Sequence, residues 1–204
     1  MRNFIVMLVL VLALATGCNK KTAADAQPAF TADIRILTPF TQPPVQNGKL
    51  YMSKGRLRVE LGPMTDVYFV AQKRGWRMFP ESKSYMNIGK AQVSTYLPPM
   101  TNGSPCPSFE QPSACRMVGR ENIEGRPATK WELVNHHGAH VYLWMDDKLE
   151  IAVRWQIENV TYEVKGIRDG AVTDSMFELP SGYAALPSDM GRPDTGVNSS
   201  VPRF

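Results

Sequence analysis

The sequence predicts a mainly β domain built on antiparallel strands. Three observations carry this. Apolar residues recur at every second position in segment after segment, which is the period of a half-buried strand. Turn signals punctuate the chain at intervals of about 8–12 residues, as they do in all-β sandwiches and barrels. No stretch is long enough to supply the crossover helices that parallel strands need, so neighbouring strands pair antiparallel.

The first strand is expected from Phe30 to Leu37. Lys49 to Met52 and Arg56 to Leu61 follow, joined by Ser53-Lys54-Gly55, whose glycine supplies the turn geometry. Leu57, Val59 and Leu61 alternate with Arg56, Arg58 and Glu60, so the charges point outward. Val67 to Ala71 and Trp76 to Phe79 form a hairpin around Lys73-Arg74-Gly75, and Pro80-Glu81-Ser82-Lys83 turns the chain into Tyr85 to Ile88. Residues 90–97 suit a short helix stopped by Pro98-Pro99. Further strands are expected at Arg116 to Asn122, Ala128 to Val134, Ala139 to Met145, Leu149 to Gln156, Val160 to Ile167 and Met176 to Leu179. Turns at Glu124-Gly125-Arg126, Asp146-Asp147-Lys148 and Asp169-Gly170 separate several of them. Ile151, Val153, Trp155 and Ile157 again alternate with their neighbours.

The ends differ from this pattern. Arg2 precedes twelve unbroken apolar residues, Phe4 to Ala15, and then Thr16-Gly17-Cys18. Twelve residues fall short of the roughly 20 that span a hydrocarbon core in a helix. A positive start, a short apolar run and small residues read as a cleaved export signal. Leu14-Ala15-Thr16-Gly17-Cys18 resembles the lipobox of bacterial lipoproteins. That resemblance implies cleavage before Cys18, a diacylglyceryl thioether on its sulfur and acylation of the new amino terminus. Asn19 stands where an aspartate would indicate inner-membrane retention in enteric-type bacteria, so the expected address is the outer membrane, facing the periplasm. The expected organisation is a signal peptide at 1–17, a lipidated tether at 18–29, one domain at 30–187 and a disordered tail at 188–204, where Gly, Pro, Ser and Asn dominate without periodicity.

Three cysteines are an odd number for an exported protein. With Cys18 lipidated, Cys106 and Cys115 remain, and an oxidising periplasm allows them to pair. Closing that ten-residue segment would contribute about 2.5–3 kcal/mol in the chain-entropy model. Only Arg2 of the 23 Lys and Arg lies in the first 17 residues, which leaves 22 against 19 Asp and Glu. That mild, dispersed excess carries no basic run of the kind nucleic-acid binding needs.

Chemistry is harder to find. His136, His137 and His140 offer imidazoles for zinc or copper. Asn135 and Gly138 make the run a turn, however, and extended neighbours point to opposite sides, so solvent-exposed turn histidines are expected and no metal site is assigned. There is no phosphate-binding glycine loop, nucleophile elbow or His-Glu-x-x-His, so neither a catalytic residue nor a cofactor is assigned. What stands out is apolar bulk: 11 methionines and four tryptophans, suited to a filled core or to an adaptable apolar site.

The order of several short motifs is similar to the lipoprotein-localisation factors (LolA/LolB-like). Gly48-Lys49-Leu50-Tyr51-Met52, Gly55-Arg56-Leu57-Arg58-Val59-Glu60, Tyr68-Phe69-Val70, Trp76-Arg77-Met78-Phe79-Pro80 and Lys83-Ser84-Tyr85 carry the first half of the likeness. Thr129-Lys130-Trp131-Glu132-Leu133, Val141-Tyr142-Leu143-Trp144-Met145 and Met176-Phe177-Glu178-Leu179-Pro180-Ser181-Gly182-Tyr183 carry the second. The resemblance spans about residues 30–185 and implies a half-open antiparallel β-barrel with a short helical lid over an apolar cavity. It implies a non-enzymatic protein whose ligand is an acyl chain, a lipoprotein or another apolar molecule. Leu57, Val59, Phe69, Trp76, Met78, Trp144, Val153 and Trp155 are the wall candidates, because they lie on strands with apolar alternation. Anchoring through Cys18 separates this chain from a soluble shuttle. A second reading keeps the barrel as a rigid scaffold for an envelope protein partner, contacted through the loop from Pro98 to Cys115.

Overall fold

The computed structural model describes residues 28–40, 42–89, 96–100, 114–134, 138–170 and 172–187. They form one twelve-stranded sheet: β1 (Phe30–Leu37), β2 (Val45–Ser53), β3 (Arg56–Leu61), β4 (Met64–Phe69), β5 (Arg74–Phe79), β6 (Ser84–Gly89), β7 (Ala114–Ile123), β8 (Arg126–Val134), β9 (His140–Asp146), β10 (Ala152–Ile157), β11 (Val160–Asp169) and β12 (Ala184–Ala185). The spatial order is β12-β6-β5-β4-β3-β2-β1-β11-β10-β9-β8-β7. Two meanders thus meet at the long-range β1–β11 pair. Every adjacent pair is antiparallel except β12 on β6.

Local chemistry sets the hairpins. Ser53 pairs with Arg56 and Ile123 with Arg126, leaving the two-residue loops Lys54-Gly55 and Glu124-Gly125. All four loop residues have positive φ, between 50° and 81°, the sign pattern of the turn whose twist matches paired strands. At Gly75 the constraint is space. A Cβ there would stand 1.9 Å from the Val67 carbonyl oxygen, so β5 can lie this close to β4 only with glycine.

Residues opposite one another across a ladder share a face, so register divides the sheet into an inner and an outer side. Phe30, Ala32, Ile34 and Ile36 of β1 face Met52 and Leu50 of β2 and Val164 and Tyr162 of β11. These belong to the largest apolar cluster, which reaches from β6 to β8 and defines the inner face.

Three expectations are corrected here. The half-open barrel is an open sheet, whose end strands β12 and β7 do not pair with each other. Its β7–β8 turn nevertheless curls back, with Glu124 Oε1 2.7 Å from Lys165 Nζ on β11. The short helical lid is not seen: residues 90–95 lie outside the described residues, and Tyr96–Met100 carries no helix. The segment expected as a strand at Met176–Leu179 is instead a single 3₁₀ turn, Asp174–Phe177. Among the described residues no helix is long and apolar enough to cross a membrane.

Candidate apolar binding face

Pairing carries one row of inward side chains across five strands. Leu50 faces Val59, Val59 faces Asp66, Asp66 faces Arg77, and Arg77 faces Met86. A carboxylate and a guanidinium therefore sit in an otherwise apolar row. Asp66 is fully buried. A buried carboxylate is tolerated only when its lone pairs are met. Arg77 Nε and Nη2 donate to Asp66 Oδ1 and Oδ2, both at 2.8 Å. Tyr96 Oη donates to Asp66 Oδ2 at 2.9 Å and accepts from Arg77 Nη2 at 3.3 Å. The hydrogen bonds to Asp66 outweigh burial and hold the Arg77 guanidinium above its ordinary pKa.

Tyr96 begins a strap over the inner face. Leu97 and Met100 are buried in the main cluster. At its far end Pro99 O accepts from Ala152 N–H at 2.7 Å, and Met100 forms an antiparallel bridge with Ile151. The strap thus runs from the β4–β5 ion pair to the start of β10. Pro98 and Pro99 suit this path, since neither brings a backbone N–H that burial would orphan.

The eight wall candidates do not come together. Leu57, Val59 and Trp155 lie in the inner cluster, with Trp155 stacked on Tyr162 at 4.9 Å between centroids. Phe69, Trp76 and Met78 pack on the outer face with Val67 and Phe177. Trp144 and Val153 join Ile123 and Ala128 in a third cluster. Alternation sorts side chains between two faces but cannot say which face is inner. Val153 departs for a further reason: the β9–β10 register shifts between Ala152 and Arg154, and Val153 is the residue in excess. A cavity of about 190 Å³ lies at this third cluster, lined in part by Ile123, Glu124, Arg126, Val153 and Ile167. That is below the roughly 300 Å³ at which small-molecule sites usually begin.

The C-terminal segment covers the outer face of β3 to β6. Arg56 stacks over the Phe177 ring at 4.4 Å and pairs with Asp174, while Arg58 Nη1 donates to Met176 O at 2.9 Å. On the outer face of the other half, Glu132 accepts from Arg116 Nε at 2.7 Å and lies 2.7 Å from His140 Nδ1. His140 and then Arg116 hold the Glu132 carboxyl below the usual carboxylate range. Cys18, Cys106, His136 and His137 lie outside the described residues, and Cys115 sits near the start of β7. Among the described residues no group of three or more His, Cys, Asp or Glu is placed to hold a metal.

Sequence reasoning missed Asp66, Arg77 and Tyr96 as a unit. Alternation gave no signal for this unit, since beside Trp76 and Met78 it reads Arg77 as outward.

The sequence matches no protein-family model and no curated protein. Solved structures do resemble it. An uncharacterized conserved protein from Thermus thermophilus is 11% identical with a TM-score of 0.53, over 78% of this chain and 90% of that one. MucB in the Pseudomonas aeruginosa MucA/MucB complex is 14% identical with a TM-score of 0.48, and the match spans 76% of this chain but only 56% of that one. A LolA superfamily protein from Nitrosomonas europaea is 13% identical with a TM-score of 0.38, over 74% of this chain and 90% of that one. At these identities the likeness is one of fold. The architecture is an open sheet, antiparallel in every pair but one.

Proposed function

We propose that this chain is a non-enzymatic, lipid-anchored protein of the bacterial cell envelope that binds acyl chains, a lipoprotein or another apolar ligand on the inner face of its sheet. One observation carries the reading. A single apolar cluster extends over most of the inner face, and Tyr96–Met100 covers it as a strap fixed at two points, the Asp66–Arg77 pair and the start of β10. The strap occupies the space an apolar ligand would take, so binding requires its displacement. In this reading Leu57, Val59 and Trp155 contact the ligand, while Phe69, Trp76, Met78, Trp144 and Val153 support the sheet from their own clusters.

The proposal retains the signal at 1–17, the lipid on Cys18, the tether at 18–29 and the tail at 188–204, with the domain facing the periplasm from the outer membrane. It also retains a disulfide between Cys106 and Cys115, supported by the finding that Cys115 is not a free thiol. Mass spectrometry of protein extracted from its own membrane tests both halves. A diacylglyceryl mass on the Cys18 peptide and a co-purifying lipid are expected. An unmodified Cys18 would overturn the anchor, and failure to retain any lipid would overturn the binding.

A second reading makes the sheet a platform for an envelope protein. The closed state of the inner face favours it, because a strapped sheet presents a fixed surface. Deleting residues 101–113 separates the two: loss of a protein partner with lipid binding intact supports the platform.

A further inference from the structure

We infer that the outer edge of β7 is a self-association surface, and that a second copy of this chain pairs with it antiparallel to continue the sheet. The two ends of the sheet are unlike. β12 has only two residues, a length that offers almost no template. β7 has ten, and among the described residues only β8 pairs with it. A long edge strand with exposed apolar side chains invites a further strand. Met117 and Val118, at 57% and 39% exposed, are two of the three exposed large apolar residues in the described chain.

The strand also complements itself. In the β7–β8 ladder Met117 faces Trp131 and Gly119 faces Lys130, so Val118 is an extra residue. That bulge shifts the phase. Arg116, Gly119 and Glu121 then share the outer face, opposite Glu132, Lys130 and Ala128, while Met117 and Arg120 share the inner one. A two-fold axis between Val118 and Gly119 sets Arg116 opposite Glu121 of the second copy, twice over. It also sets Met117 opposite Arg120, whose aliphatic stem covers the thioether. Each pair lies on a single face, which an unbulged strand could not achieve for residues five apart. Opposite charges directly across a ladder favour pairing and like charges oppose it. An isologous contact of this kind closes at two subunits. Arg116 pairs with Glu132 and Glu121 with Lys130 on β8, yet they stay 74% and 42% exposed, so each can share its charge with the second copy.

Sedimentation equilibrium of the full chain in density-matched detergent tests the inference. The wild type should show a concentration-dependent monomer–dimer equilibrium. Arg116→Glu and Glu121→Arg should each weaken it by about tenfold or more, because each sets like charges opposite one another twice. An equimolar mixture should recover the dimer, since every cross-strand pair is then complementary. Glu121→Gln, which keeps the shape, should give a smaller loss in the same direction. A wild type that stays monomeric, single variants that dimerise normally, or a mixture that recovers nothing would each overturn it.

Discussion

Asp66 is the residue on which the inner face turns. It holds Arg77 in a two-point bond and receives the Tyr96 hydroxyl, so one carboxylate ties two strands to the strap. Asp66→Asn leaves a half-buried guanidinium without its counter-charge, and should cost about 3 kcal/mol or more in urea unfolding. Tyr96→Phe removes the hydroxyl's bond to Asp66 and its longer one from Arg77 but leaves the ion pair, and should cost about 1.5–3 kcal/mol. Equal losses from the two would argue against this hierarchy. Asp146 makes a separate prediction. Burial pushes its carboxyl up, but Arg126 and the N–H groups of Leu149 and Lys148 outweigh burial and hold it below the usual range. A lowered folded pKa gives stability that is full above the unfolded value, about 3.9, and is lost as pH falls through the folded one. Asp146→Asn should therefore flatten the acid limb of stability below about pH 4, as followed by thermal melts. Alternation sets Arg77 on the face opposite Trp76 and Met78 but does not say which of the two is inner. The link of Asp66 and Arg77 to Tyr96 was not legible either, because it depends on where a non-repetitive segment crosses the sheet.

At the scale of elements, most strands lay close to where period and turn chemistry placed them. Phe30–Leu37 and Arg56–Leu61 have the expected bounds, and the Lys54-Gly55 loop fixes where the second begins. The failure at Met176–Leu179 has a physical cause. Met, Phe and Leu there mimic a strand, but the segment packs across the outer face, and its backbone turns on itself at Asp174–Phe177. Its anchor is Phe177, which is 1% exposed beneath Arg56. Phe177→Ala should cost about 3–5 kcal/mol and release the cover over Trp76. A red shift in tryptophan emission before global unfolding is the expected readout. An unchanged spectrum would show that the segment does not depend on this ring.

For the molecule as a whole, the two meanders were legible because each strand pairs with its sequence neighbour. The β1–β11 junction was not, since Phe30 and Asp169 meet across nearly the whole domain. The scatter of the eight candidates over three clusters follows from a sheet that buries apolar side chains on both faces, with register setting Leu57 and Val59 on the face opposite that of Phe69, Trp76 and Met78. What decides the function is whether the strap opens. Pro99 O and Ala152 N–H flank the Met100–Ile151 bridge, which makes it a non-hydrogen-bonded pair with Cα atoms expected about 4.5 Å apart, within disulfide reach. Binding of a fluorescent long-chain fatty acid to a Met100→Cys/Ile151→Cys variant, oxidised and then reduced beside wild type in the same buffers, is the direct test. Loss of binding on oxidation and recovery on reduction, with wild type unaffected, is the predicted result. Equal binding by the locked and unlocked forms would contradict the account.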